Sequence, residues 1–315
     1  IGAVAQTFGF QVPEGRNKVE VPFEYRNGFI VVNFVFNETL SMDFIFDTGA
    51  EYTILTQKAY ADILGVSYTK QYKILGSDMK TELIAYLARG VSFRYKTMVA
   101  AKQDIFVLEQ DYFQFDQYIG QDVHGIVGAS FFRHLMIEID YKRQVLTFYS
   151  PKGFSKKKKD DFSSIPISIN KGKPYLQAQL KLATNKVQSI KLLLDTGASL
   201  GLLLHTDSTR ILRPPENTIP GQVGAGLGGE LMGYLGRIDQ LAISNFQFDG
   251  FLASFQEISP GLDTSFLNGR NGILGNLLLS RFTILLDYVH EELYLRPRRH
   301  YNKGFKFDRS GLNIV

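Results

Sequence analysis

The second half of this chain repeats the first almost in register. Phe44-Ile45-Phe46-Asp47-Thr48-Gly49-Ala50 returns as Leu192-Leu193-Leu194-Asp195-Thr196-Gly197-Ala198, 148 positions on (195 − 47). Gly76, Glu82-Leu83, Tyr86-Leu87 and Arg89 return at the same offset as Gly224, Glu230-Leu231, Tyr234-Leu235 and Arg237. His124-Gly125-Ile126-Val127-Gly128 and Ile139-Asp140-Tyr141 return as Asn271-Gly272-Ile273-Leu274-Gly275 and Leu286-Asp287-Tyr288, 147 positions on (272 − 125, 287 − 140). One residue of drift over a whole half leaves little room for chance, so the chain reads as two copies of one domain. The copies span 19–150 and 165–300. An N-terminal segment 1–18 precedes them, a Pro-, Gly-, Lys- and Ser-rich linker 151–164 joins them, and a tail 301–315 follows. A length of 315 residues suits two such domains.

Each copy is dominated by strand signals. Short β-branched and aromatic runs (Phe29–Phe36, Val91–Tyr95, Val145–Tyr149) sit between Gly, Asn and Asp turns. Helical pattern is sparse: Gln57–Leu64, then one short helix per half after the second glycine motif, over Ser130–Leu135 and Asn276–Phe282. The expected class is therefore mostly β.

Composition mainly excludes. There are no cysteines, which rules out disulfides, thiolate metal sites and a Cys nucleophile. Net charge is only +4, and the one dense basic run, Lys156–Lys159, is followed at once by Asp160-Asp161. That run is read as a solvated linker rather than a docking patch, and no nucleic-acid partner is expected. No apolar run approaches the 18 or so residues of a membrane span. The five histidines show no metal-type spacing, and no Gly-x-Ser-x-Gly elbow is present, so neither a metal nor another cofactor is called for. His124 and Asn271 share one repeat position, which argues against a catalytic role for that histidine.

A carboxylate at the end of an apolar strand is costly unless it has a partner. Asp47 and Asp195 occupy equivalent positions in two copies, so each is the natural partner of the other. Gly49 and Gly197 permit a sharp turn and a close backbone approach. Thr48 and Thr196 carry hydroxyls able to bond backbone across the axis between the copies. Leu75-Gly76-Ser77-Asp78-Met79-Lys80 and Gly224-Ala225-Gly226-Leu227-Gly228-Gly229 have the composition of hairpin tips, the second far richer in Gly.

Asp-Thr-Gly-Ala followed by Ile-Val-Gly or Ile-Leu-Gly and a short helix resembles the retropepsin-like aspartic proteases. Gly272-Ile273-Leu274-Gly275-Asn276-Leu277-Leu278 is similar to the C-terminal motif of a retroviral protease subunit. The resemblance covers about 20–300 and is strongest to bacterial single-chain enzymes with two retropepsin-type halves. It implies two acid-protease β-barrel domains related by a pseudo-two-fold axis, with the active site between them. It implies Asp47 and Asp195 as the catalytic pair, with Thr48, Gly49, Ala50, Thr196, Gly197 and Ala198 supporting their loops. It also implies flaps that close over the substrate, with Gly76, Ser77, Asp78 and Met79 at one tip and Ala225, Gly226 and Leu227 at the other. The alternative for those segments is two ordinary solvent-facing hairpins. The implied function is an endopeptidase acting on extended peptides or unfolded protein, as a monomer that is its own pseudo-dimer. Pepsin-type sites carry Ser or Thr where this chain has Ala50 and Ala198; fewer donors to the carboxylates imply a mildly acidic pH optimum.

Two other functions are carried forward. One is a catalytically silent peptide-binding module with a protease fold. The other is a two-carboxylate glycosidase, which needs carboxyl groups about 5 Å or more apart. At the termini two readings each stay open. Ile1–Gln6 resembles the tail of a secretory signal, implying export, or marks an arbitrary boundary. The tail 305–315 resembles the lead-in to a PDZ domain, or is a frayed strand.

Overall fold

The computed structural model describes residues 9–77, 81–150, 154, 160–182, 186–206, 212–227, 229–258 and 262–304. It is mostly β, in two lobes with one topology. Among these residues the N half forms an eight-stranded sheet. Its order is Glu24–Arg26, Phe29–Phe36, Leu40–Phe46, Gly125–Val127, Ile54–Leu55, Met98–Leu108, Glu82–Tyr95, Tyr68–Leu75. In the C half Lys173–Lys181, Val187–Leu194, Gly272–Leu274, Leu202–Thr206, Leu252–Glu257, Gly229–Arg237 and Thr218–Gly226 follow one another in the matching order.

The parallel pairs match too. Leu40–Phe46 runs parallel to Gly125–Val127, and Val187–Leu194 runs parallel to Gly272–Leu274. Strands covered on both faces read as continuous apolar runs. Phe44-Ile45-Phe46 and Leu192-Leu193-Leu194 are such runs, and all six residues are buried. Each run therefore ends deep in its lobe, and that is where the Asp-Thr-Gly begins.

A third layer joins the lobes. Lys18–Pro22, Val145–Tyr149, Met136–Asp140, Phe282–Asp287, Glu292–Pro297 and Ser163–Asn170 hydrogen-bond side by side. At its centre Met136–Asp140 pairs antiparallel with Phe282–Asp287, and Glu138 lies opposite Leu285. These two residues hold equivalent repeat positions, 147 apart (285 − 138). A residue facing its own repeat mate marks where the pseudo-two-fold axis crosses the sheet.

Of the N-terminal segment, Phe10 is fully buried and packs on Phe34 and Phe131, with ring centroids 4.9 and 5.4 Å away. The linker's last two residues, Ser163 and Ser164, already belong to the strand Ser163–Asn170. Helices form at Lys58–Ile63 and Asn276–Leu279. The expected helix over Ser130–Leu135 shrinks to one 3-10 turn, Ala129–Phe131. Phe131 and Phe132 are both drawn into the core, and Phe132 leaves the helical region at φ −137. A five-residue helix at Phe115–Ile119 was not expected; it has no side-chain cap and is rich in aromatic residues of modest helix propensity. No described helix is long and apolar enough to cross a membrane.

Candidate active site

Both aspartates sit one residue beyond their buried strands. Asp47 N–H donates to Val127 O and Asp195 N–H to Leu274 O, each at 3.0 Å. The Asp-Thr-Gly loops are tied to the second glycine motifs in the same way: Ala129 N–H to Ala50 O at 2.9 Å, Asn276 N–H to Ala198 O at 2.8 Å. A Cβ on Gly128 or Gly275 would overlap the backbone of Tyr52 or Leu200, so both positions need glycine for close approach.

The threonines lock the two loops together. Thr48 Oγ1 donates to Leu194 O at 2.7 Å, and Thr196 Oγ1 donates to Phe46 O at 2.8 Å. Each hydroxyl also accepts from the other loop's backbone: Thr48 N–H to Thr196 Oγ1 at 3.0 Å, Thr196 N–H to Thr48 Oγ1 at 3.1 Å. Both side chains are fully buried. In this dry setting four reciprocal bonds are worth far more than in water, because breaking any one leaves a buried group unpaired.

The lock brings the carboxyls into hydrogen-bond contact with each other. So close a contact does not fit the glycosidase reading, which needs carboxyl groups about 5 Å or more apart. A Cβ on Gly49 would overlap the Asp195 carboxyl, and one on Gly197 would overlap the Asp47 carboxyl. Gly49→Ala is therefore expected to push the pair apart with little loss of global stability. A displacement of about 1 Å costs on the order of 100-fold in rate. Peptidase assays together with thermal melts check this, and a fully active Gly49→Ala would contradict it.

Burial holds Asp47 well above the usual carboxylate range, and the adjacent Asp195 raises it further. The Gly49 N–H at 2.6 Å and the Ala50 N–H at 3.0 Å work the other way. Asp195 is also raised by burial. It is opposed by the hydrogen bond from Asp47, by the charges of Arg270 and Lys173, and by the Gly197 N–H at 2.9 Å. The pair titrates as a unit, and the shared proton belongs to the pair rather than to either carboxyl. Ala50 and Ala198 contribute no side-chain donor; Ala198 N–H reaches only the Asp195 main-chain carbonyl, at 3.5 Å.

Of the expected flap residues, Asp78 and Met79 lie outside the described residues. Gly76 closes its hairpin through N–H to Thr81 O at 2.8 Å. Ser77 N–H donates to Leu227 O on the opposite hairpin. A Cβ on Gly226 would stand 2.8 Å from Ser77 Cβ and Oγ. Gln256 Nε2 also donates to Ser77 O, at 3.3 Å. Ala225 lies on the strand Thr218–Gly226. The two tips thus meet each other.

His124 and Asn271 do one structural job: His124 Nδ1 accepts from Asp43 N–H at 3.2 Å, and Asn271 Oδ1 accepts from Lys191 N–H at 2.8 Å. No cluster of metal-ligating side chains forms among the described residues.

Sequence reasoning missed Asn276. It is fully buried and donates to Thr196 O, while Tyr141 Oη donates to its Oδ1 at 2.6 Å and Tyr25 Oη to its carbonyl at 3.3 Å. An Asn directly after the glycine motif, inside an apolar run, was the available signal. Its repeat mate is Ala129, and Tyr288 Oη, the mate of Tyr141 Oη, is buried with no described hydrogen-bond partner. The floor of the site is thus braced on one side only.

Residues 179–278 match the model of a family described as aspartyl protease, a span that includes Asp195-Thr196-Gly197 and the second glycine motif. No curated protein matches the chain. Among solved structures, the aspartic proteinase from Irpex lacteus is similar, with 15% identity and a TM-score of 0.49. That likeness covers 91% of this chain and 98% of the other. Over residues 179–278 the family match agrees with the resemblance to aspartic proteases drawn from the motifs.

Proposed function

We propose that the chain is an aspartic endopeptidase that hydrolyses extended polypeptides through a water activated by the Asp47–Asp195 pair. The observation that carries this reading is the hydrogen-bonded pair itself, held on two matched loops by the reciprocal threonine bonds. The ionised member removes a proton from the water while the protonated member polarises the scissile carbonyl. An extended peptide would lie between the lobes and beneath the two hairpins, using strand-like main-chain bonds. Contact between Ser77 and Leu227 supports reading both hairpins as flaps that open to admit substrate and close to exclude water. Incubation with a denatured protein and a peptide library across roughly pH 3–8 tests the activity. Wild type is expected to cleave. A library left intact by the wild type but retained by it in pull-down would favour the silent binding module.

The rate should follow a bell. It falls at low pH as the pair takes a second proton, and at higher pH as it loses the shared one. With burial raising both groups and no hydroxyl at Ala50 or Ala198, the maximum is expected at mildly acidic pH. A kcat/KM profile peaking at about pH 2 would contradict this.

A further inference from the structure

The pseudo-two-fold breaks sharply in what flanks the two aspartates. Strand register fixes the equivalences: Val31 pairs with Ile45, and Tyr175 with Leu193. Phe29 and Val31 therefore hold the places of Lys173 and Tyr175. Val123, just before His124, holds the place of Arg270, just before Asn271. On the Asp47 side Phe29, Val31 and Val123 join Phe113 and Phe115 in an apolar cluster that packs against Ala50 and the flap residue Leu227. On the Asp195 side the same places hold two cations.

Those cations are unusually placed. Lys173 follows Gly172, where an added Cβ would meet Ala129 and Arg133 of the other lobe at 3.1 and 3.3 Å, so it stands at the seam between the halves. Arg270 Nε donates to the buried His205 Nε2 at 3.4 Å. Both side chains are part-buried, reachable yet largely desolvated. Among the described residues neither has a salt-bridge partner; the carboxylates acting from farther off are Glu51 and Asp195 on Lys173 and Asp195 on Arg270. Burial and repulsion from Arg270 both weaken the hold of Lys173 on its proton. Two part-buried cations that act on each other, answered among the described residues only by unbridged carboxylates, leave a demand that an incoming anion meets.

We propose that Lys173 and Arg270 form a carboxylate-binding subsite on the Asp195 side of the cleft. The preferred substrates then carry Asp or Glu on one side of the scissile bond and a large apolar residue on the other. This rests on the peptidase reading above. A peptide crossing the axis presents the residues flanking its scissile bond to opposite lobes, and the lobes differ in chemistry at matched positions. A carboxylate held by a guanidinium and an ammonium makes charge-assisted bonds, which favour Glu over Gln on the order of 10- to 100-fold.

The test has two arms. Cleavage-site profiling of wild type, Lys173→Phe and Arg270→Val, which install the residues of the other lobe, should show acidic enrichment in wild type. That enrichment should fall in each variant while apolar preference on the other side persists. Separately, Asp47→Asn is titrated with peptides that differ only in Glu or Gln beside the scissile position. A third peptide, ending there in a free C-terminal carboxylate, distinguishes a side-chain from a terminal source. Tighter binding of the Glu peptide supports the subsite even if nothing is cleaved, in which case only the peptidase reading fails. Cleavage without acidic preference, or equal binding of Glu and Gln peptides, overturns the subsite and leaves the peptidase reading intact.

Discussion

Asp47→Asn and Asp195→Asn are each expected to abolish peptide cleavage, lowering kcat by about 10⁴-fold, near the top of the range for general acid–base groups. The two effects should not add, because one half of the pair has no function without the other. Asparagine preserves shape and hydrogen bonding, so the fold should survive, and it should gain stability at neutral pH. The sign follows from linkage. Both carboxyls lie above their ordinary values when folded. The folded state therefore binds more protons than the unfolded state in the window above the unfolded carboxyl value of about 3.9, and stability falls as pH rises through that window. Asp47→Asn removes part of that loss. Thermal melts at pH 4 and pH 7 should show a smaller drop for the variant than for wild type. An equal drop would mean that the pair is not strained by its burial.

Thr48→Val should be the most destabilising single change in the two Asp-Thr-Gly loops. The Leu194 carbonyl loses its 2.7 Å donor and the Thr196 N–H loses its 3.1 Å acceptor, both in a fully buried setting. At about 1–3 kcal/mol for each of the two buried groups left unpaired, a loss of roughly 2–6 kcal/mol follows. Thr196→Val should cost a similar amount by symmetry. The double variant should cost less than the two together, since both threonines belong to one network. Thr48→Ser keeps the hydroxyl and serves as the control. Urea unfolding midpoints check the series, and a Thr48→Val penalty under about 0.5 kcal/mol would remove the threonine lock from the account.

Much of this was legible because the repeat transmits constraints between halves. The register of Asp47 with Asp195, and of Gly125 with Gly272, already required matching strands; the strands Phe29–Phe36 and Val145–Tyr149 fall where alternation and turn residues put them. What repetition cannot carry is the departure from it. Asn276 against Ala129 and Arg270 with Lys173 against Val123 with Phe29 are plain in the sequence as differences, but their meaning depends on which side chains converge in space. The contact between Ser77 and Leu227 joins the tips of two matched hairpins, a meeting across the chain that no local pattern encodes. The helix expected over Ser130–Leu135 failed because burial of Phe131 and Phe132 outweighed local propensity.

The central claim is that one folded chain supplies both carboxylates of one catalytic pair. Mixing purified Asp47→Asn with Asp195→Asn tests it most directly. If each chain builds its own site, every site in the mixture lacks one aspartate. The mixture then stays as inactive as either variant alone, and wild-type specific activity does not change with enzyme concentration. Recovery of peptidase activity on mixing would mean that the pair forms between chains, and would contradict the account.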